Sequence, residues 1–496
     1  MGKGLGRWTC CVSLSGISSL RLGWTRGRGL RGSRSGNMAN SARAPKGSAA
    51  PSSRAARYAE GRGLRRRVPR SSHGDWSPSS DRPDPIEMLG STDKLRLPEL
   101  LPIRYGRMAL SPFAFLRGAA VVMAHDLATT PITGLRVQLC GDAHVGNFGI
   151  FGTPERNQVF DVNDFDETLP GPWEWDLKRL ATSLVVAGRQ NRYGRSITRK
   201  AARAAVRSYR EMMAEFSRMR YLDTWYFHLD LTSASLPGGP KPQRLMGRGV
   251  AKARRRTDLH AFPRTTRAIR GHDRIRDEPP LIVHYKDPTV FEESRSFYDR
   301  YLSTLADERR RLLERYHIVD VAQKVVGVGS VGLACSVLLL MADPDLEDPL
   351  FLQLKQATAS ALEPVLGASV YPNHAQRVVA GQHDFQEASD IFLGWSRLRN
   401  RDFYVRQLRD MKFSYDLSAL GPREFVTQAE LCGTALARGH ARTGDPARIS
   451  GYLGNRGLFD EAVTTFAEAY ADQTEQDYQS LLRAIKKGRV AADVDV

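Results

Sequence analysis

The stretch from Leu135 to Asp166 constrains this chain most. Leu135-Arg-Val-Gln-Leu139 alternates as a short strand and runs into a dense polar loop, Cys140-Gly-Asp-Ala-His-Val-Gly-Asn147. Phe148–Phe151 and Gln158–Val162 then flank a Gly-Thr-Pro-Glu-Arg-Asn turn, and Phe160-Asp-Val-Asn-Asp-Phe-Asp166 closes the unit. A strand, a polar loop and a hairpin in 32 residues exclude an all-helical bundle. The helical periodicities on either side make the expected class α+β.

Upstream, Pro83 to Leu101 reads as a Pro-punctuated linker. Ser111-Pro112 is an N-cap with Pro at the first helical position, and predicts a helix from Phe113 to about Ala128. Leu177, Leu180, Leu184 and Val185 recur at helical spacing within Trp173–Arg189, and further helices are expected over Ile197–Arg218 and Phe291–Tyr316. Between these last two lies a basic, Pro-containing stretch, Gly247–Arg276, read as a charged loop. Asp320–Lys355 reads as strand, Gly-rich turn, strand, acidic turn (Asp343–Asp348), strand, an antiparallel meander. Asp402–Leu408 alternates as a strand, and Gln428–Arg438 and Asp460–Ile485 are helical. The expected domains are therefore a basic tail over 1–80, a part carrying the polar loop over 81–190, a helical region with a basic loop over 191–318, a sheet lobe over 319–415 and C-terminal helices over 416–496.

Charge is informative only once it is located. The net charge of +19 on 496 residues suggests nucleic acid, yet residues 1–80 hold 16 Lys and Arg against Glu60 and Asp75 and so contribute +14. The remaining 416 residues carry only +5. The first segment is rich in Gly, Ser and Arg and is expected to be disordered, with its basic run Arg62–Arg70 a solvated tail; Met38 offers a second candidate start. Cys10, Cys11, Cys140, Cys335 and Cys432 form no C-x-x-C pair and no zinc spacing, which fits a reducing cytoplasm. Val325–Ala342 is uncharged over 18 residues, but its three leading glycines and β-branched remainder favour buried strands over a membrane span.

The polar loop carries the chemistry. An Asp five residues before an Asn, then a hairpin, then Asp-Phe, is the spacing phosphoryl transfer on a kinase-like scaffold needs: one carboxylate meets the acceptor hydroxyl, while an amide oxygen and a second carboxylate hold Mg²⁺ against phosphates. Asp142 is then the candidate base, Asn147 and Asp164 candidate metal ligands, and Asp166 a candidate ligand for a second metal. The same residues also serve as turn formers and caps. A second signal is Val326-Gly-Val-Gly-Ser-Val-Gly332, between strands, with Lys355 in the apolar run Phe351-Leu-Gln-Leu-Lys. Backbone N–H groups at Gly327, Gly329, Ser330 and Gly332 can approach phosphate oxygens, and Lys355 can neutralise them. Glu363 and Glu387 are candidate partners for Lys355. His125, His144 and His440 lack a metal pattern; His144 is expected to order the loop. Neither G-x-S-x-G nor H-E-x-x-H occurs.

The loop and hairpin resemble the aminoglycoside phosphotransferase and choline kinase group, whose H-G-D-x-H-x-x-N and I-D-F-x motifs precede G-x-x-x-x-D-L-A. Gly171-Pro-Trp-Glu-Trp-Asp176-Leu fills that last position, which implies that Asp176 is the buried residue ordering the loop. From about Arg65 to Val490 the chain also resembles the uncharacterised bacterial family called domain of unknown function 2252, through Pro-Ile-Arg-Tyr-Gly-Arg-Met, Leu-Cys-Gly-Asp-Ala-His and Asn-Asp-Phe-Asp-Glu-Thr-Leu-Pro-Gly-Pro-Trp-Glu-Trp-Asp. Cys140 stands where phosphotransferases have His. The Gly-rich turn and Lys355 follow the polar loop, the reverse of kinase order. The resemblance thus implies a two-lobed, protein-kinase-like α+β fold with permuted lobes and extra helices. It would be a cytoplasmic, Mg²⁺-dependent phosphotransferase using ATP on a small molecule, with no membrane span and no nucleic-acid partner. The rival readings are a silent nucleotide-binding or interaction module and a nucleic-acid binder acting through the tail. Lys355 and Asp164 must then lie close enough to reach one triphosphate.

Overall fold

The computed structural model describes residues 52–494 apart from 230–246, 248, 257, 270–271, 344–347 and 409–410. Residues 1–51, on which most of the expected disorder falls, and most of the expected acidic turn lie outside the described residues.

The twelve described strands are β1 (Arg136–Leu139), β2 (Phe148–Gly152), β3 (Gln158–Val162), β4 (Leu169–Pro172), β5 (Thr266–Ile269), β6 (His272–Ile275), β7 (Ile282–His284), β8 (His317–Lys324), β9 (Cys335–Met341), β10 (Pro349–Ala357), β11 (Gly394–Leu398) and β12 (Arg401–Gln407). Six of them form one antiparallel sheet in the order β11-β12-β10-β9-β8-β7, and β1 with β4, β2 with β3 and β5 with β6 make three two-stranded ribbons. The architecture is α+β. The expected meander is β8-β9-β10, and the expected hairpin is β2-β3. The sheet starts earlier than the boundary at 319, because β7 and the first residues of β8 belong to it.

Side-chain alternation gives the large sheet two different faces. On one, Leu350, Leu352, Leu354, Phe403 and Val405 pack against Phe297, Tyr298 and Tyr301 of the helix Thr289–Leu302. The other carries Gln353, Lys355, Tyr404 and Arg406, and Lys355 lies directly across from Cys335 on β9 and Tyr404 on β12. The remainder is a helical body whose core includes Trp173, Leu177, Leu180, Leu184 and Val185, all fully buried as their spacing predicts. Among the described residues no helix is long and apolar enough to cross a membrane; Val325–Ala342 is a Gly-rich turn followed by β9.

Five expectations need correction. The basic stretch Gly247–Arg276 is not simply a charged loop, since it holds the helix Asp258–Thr265 and the β5-β6 ribbon. Residues 52–80 are ordered: the helix Arg54–Gly63 is capped by Ser53, and the basic run docks on the C-terminal end of the helix Pro446–Leu453. Arg65 donates to the carbonyls of Gly451 and Tyr452, Arg70 donates to Leu453 O at 2.7 Å, and His73 meets the Tyr452 hydroxyl at 2.7 Å. Cationic side chains there satisfy the last carbonyls of a helix, so their charge is structural rather than a solvated tail. The expected linker contains the helix Pro85–Asp93, whose N-cap Asp84 accepts from Ile86 N at 2.8 Å. The helix expected over 113–128 breaks at Ala119 (φ −113°, ψ 39°), where Arg104 takes up the Gly118 carbonyl at 3.2 Å. The one expected over 291–316 breaks after Leu302, where Thr304 Oγ1 bonds the main chain of Trp395 on β11.

Candidate functional site

The polar loop is built from behind. Asp176, in the first turn of the helix Trp173–Gln190, accepts from Cys140 N at 2.8 Å and Gly141 N at 3.1 Å, and its Oδ2 lies 3.3 Å from His440 Nε2. Gly141 adopts φ +85°, and a Cβ there would lie 2.1 Å from Glu167 O, so both conformation and crowding demand glycine. One turn after Asp176, Arg179 donates through Nε to Asp142 Oδ1. Asn147 donates through Nδ2 to Asp142 O at 2.7 Å, which fixes the amide and closes the loop. Its carbonyl in turn accepts from Asn163 N at 2.8 Å, tying the loop to the far end of the hairpin.

At that end stand Asp164 and Asp166. Lys355, 191 positions along the chain from Asp164, brings Nζ to 3.3 Å from Asp164 Oδ2 and into an ion pair with Asp166. Tyr404 donates to Asp166 Oδ1 at 2.8 Å, and Ser330 of the Gly-rich turn donates to Asp166 Oδ2 at 3.0 Å. Arg377 ties the same segment to the end of β10 through the carbonyls of Asp166, Thr168 and Thr358. Asp142, His144, Asn147, Asp164, Asp166, Gly327, Gly329 and Ser330 therefore border one cleft of about 100 Å³.

Burial and charge divide the titrating groups. Burial, followed by the charge of Asp166, raises the Asp164 carboxyl. Burial also acts on Asp166, but Lys355, Tyr404 and Arg406 outweigh it and hold that carboxyl at about 2. Burial alone would discharge Lys355; the two carboxylates keep its ammonium well above the ordinary value. His144 is buried, edge-on to Phe113 at 6.0 Å, and burial followed by Arg117 and Arg179 drives its imidazole well below the usual range, so it is neutral.

Two adjacent carboxylates and a nearby amide form an all-oxygen donor set of the kind Mg²⁺ takes when substrate phosphates supply its other ligands. Among the described residues no group of three or more His, Cys, Asp and Glu side chains is arranged to hold a metal by itself. The donor set thus fits a cation that arrives with phosphates better than a permanently caged one.

Residues 96–484 match the family model described as "Uncharacterized protein conserved in bacteria (DUF2252)". The chain belongs to this family. No match was found among curated proteins or among solved structures. Within the DUF2252 span lie every cleft-bordering residue named above, together with Lys355, Tyr404 and Arg377, whereas the helix-capping run Arg65–Arg70 lies outside it.

Two expected details differ. Glu363 and Glu387 do not partner Lys355: Glu363 accepts from Ser360 N and lies 3.7 Å from Arg377, and Glu387 accepts from Leu229 N at 2.9 Å. Gly332 does not border the cleft; at φ +92° it turns the chain so that its carbonyl accepts from Leu97 N at 2.7 Å. Sequence reasoning missed Arg179, Arg377 and Tyr404. Tyr404 was recoverable, since it shares the parity of Arg406 in an alternating strand, and Arg179 follows Asp176 by three residues on a helix.

Proposed function

We propose that this DUF2252 protein is a Mg²⁺-dependent phosphotransferase with a permuted kinase-like arrangement, moving the terminal phosphoryl group of a nucleoside triphosphate to a hydroxyl or amine of a small molecule. One observation carries the reading: Lys355 on β10 meets Asp164 and Asp166, beside Asp142 and Asn147 and under a Gly-rich turn between β8 and β9. A strand, Gly-rich turn, strand and Lys-bearing strand facing an Asp/Asn loop and a second Asp are the parts phosphoryl transfer uses, here in reversed chain order.

Bound Mg²⁺ would supply charge neutralisation at the phosphates, held by Asp164, Asp166 and Asn147. Asp142 takes the acceptor's proton as the new P–O or P–N bond forms and the bridging P–O bond breaks, leaving the nucleoside diphosphate. Arg179 orients the Asp142 carboxylate, and Asp176 fixes the loop that presents it. The Gly-rich turn offers its N–H groups and Lys355 its ammonium to the phosphates. A cleft of about 100 Å³ is smaller than the ~300 Å³ or more that a nucleotide-sized ligand fills, so binding requires the turn to lift away from Asp166. Its ends are held by the Leu97 N bond to Gly332 O and by Arg107 donating to Gly327 O at 2.7 Å.

A silent nucleotide-binding module is the second reading. What favours it is the Arg179 bond to Asp142 Oδ1, which occupies one oxygen of the candidate base. Asp164→Asn separates function from fold, because Lys355 keeps Asp166. Mg²⁺-dependent nucleotide turnover is expected to fall to background while the melting midpoint moves by no more than about 2 °C. Full turnover in this variant excludes the mechanism, and nucleotide binding by calorimetry without turnover in the wild type favours the silent module.

A further inference from the structure

The cleft has a second wall. Arg96, Arg104 and Arg117, all from the helical stretch before the polar loop, border it together with the carboxylates. Arg104 has an ion pair: it meets Asp93 at 3.1 Å, donates to Gly118 O and lies over the Tyr105 ring, although its Nε is buried without a hydrogen-bond partner. Arg96 and Arg117 have no ion pair among the described residues. Arg96 donates to Val331 O, but its Nε is buried without a hydrogen-bond partner and no carboxylate pairs with it among the described residues. Arg117 rests over the Phe113 ring at 6.0 Å; its Nε is likewise buried and unpartnered, and among the described residues it has no ion pair.

These two cations feel carboxylates only at longer range, Arg117 those of Asp142 and Asp164 and Arg96 those of Asp93 and Glu167, and pair with none of them. Asp164 and Asp166 have Lys355, Asp142 has Arg179, and Glu167 accepts from Ala361 N at 2.6 Å. A guanidinium withdrawn from water without a partner is costly, and burial lowers both groups, Arg96 to about 9. An anion that enters the cleft would give both guanidiniums the direct partner they lack. A fork of N–H donors suits a tetrahedral oxyanion, and the cleft volume admits one such group where it would not admit a nucleotide.

We propose that Arg96 and Arg117, which line the same cleft as the carboxylates, form an anion subsite that takes a phosphate-class group. The proposal rests on the phosphotransferase reading for its meaning, since the group belongs either to the nucleotide's terminal phosphoryl or to an anionic acceptor, but the subsite stands on its own geometry. The test titrates inorganic phosphate into the full-length protein and follows ³¹P line width or heat. The wild type is expected to bind phosphate. Arg117→Gln and Arg96→Gln should each weaken binding at least tenfold, with Arg117→Lys intermediate in case the Gln variant does not fold. Absence of phosphate binding in the wild type, or equal affinity in all variants, overturns the subsite. Competition then separates the sources: displacement by Mg²⁺-ATP but not by Mg²⁺-ADP assigns the subsite to the terminal phosphoryl, and displacement by neither assigns it to the acceptor. Phosphate binding with no nucleotide binding at all retains the subsite and removes the phosphotransferase reading.

Discussion

Lys355 and Lys178 are both buried, and their surroundings are opposite. Lys355 sits on a sheet strand with its ammonium paired to two carboxylates that border the cleft, which Lys355 itself does not line. Lys178 lies inside the helix Trp173–Gln190, its Nζ 4.7 Å from the centre of the Phe466 ring and without a hydrogen-bond partner among the described residues. Burial, only partly countered by Glu174, pulls Lys178 down to about 7, whereas the carboxylates hold Lys355 charged. Burial of a lysine is therefore not by itself a functional sign. The sign is burial together with oppositely charged groups from distant parts of the chain that share a solvent-reaching space.

Removing each amine sharpens the contrast. Lys355→Met leaves Asp164 and Asp166 adjacent without their ion-pair partner, with only Arg406 and Tyr404 to offset them, and a broken buried pair costs about 3–5 kcal/mol. A large drop in denaturation midpoint is expected, with millimolar Mg²⁺ recovering more stability in the variant than in the wild type. An unchanged midpoint would mean that the pair is not formed in solution. Lys178→Met should do the reverse. Folding must discharge Lys178, so between about pH 7 and 10 the unfolded chain holds a proton that the folded chain lacks, and stability rises with pH across that window. The variant escapes a penalty of up to ~4 kcal/mol at neutral pH, so its midpoint should rise and the climb in stability from pH 7 to 10 should flatten. A wild-type midpoint that is flat or falling through that window because of this residue would contradict the assignment. The smallest effect belongs to Arg65→Gln, which removes helix-end capping worth ~1 kcal/mol; thermal melts should show that loss and nucleotide turnover should show none.

The elements that were legible in the sequence are those with strong local patterns. Leu177, Leu180, Leu184 and Val185 mark their helix by spacing, the Gly-Thr-Pro-Glu-Arg-Asn turn marks β2 and β3, and the Ser111-Pro112 cap is present, with Ser111 Oγ accepting from Ala114 N at 3.1 Å. The grouping of Asp142, Asn147, Asp164 and Asp166 was legible because loop and hairpin are contiguous. Lys355 was legible for a different reason: a lone charge in Phe351-Leu-Gln-Leu-Lys-Gln demands a partner. Its partner was misassigned to Glu363 or Glu387 because strand register, which turns Lys355 toward the loop, is a tertiary fact. The order of residues 52–80 was hidden as well. Composition makes Arg65 and Arg70 look solvated, and only the helix end about 380 positions later, met through Tyr452 and Leu453, explains them.

The most direct test of the central claim is the rate of Mg²⁺-dependent release of the terminal phosphate from a nucleoside triphosphate, with water as the default acceptor, in the wild type and in Asp142→Asn. The account predicts slow but measurable turnover that falls about 10²–10⁴-fold in the variant while calorimetric Mg²⁺-nucleotide affinity is retained. Equal rates in the two proteins would contradict it.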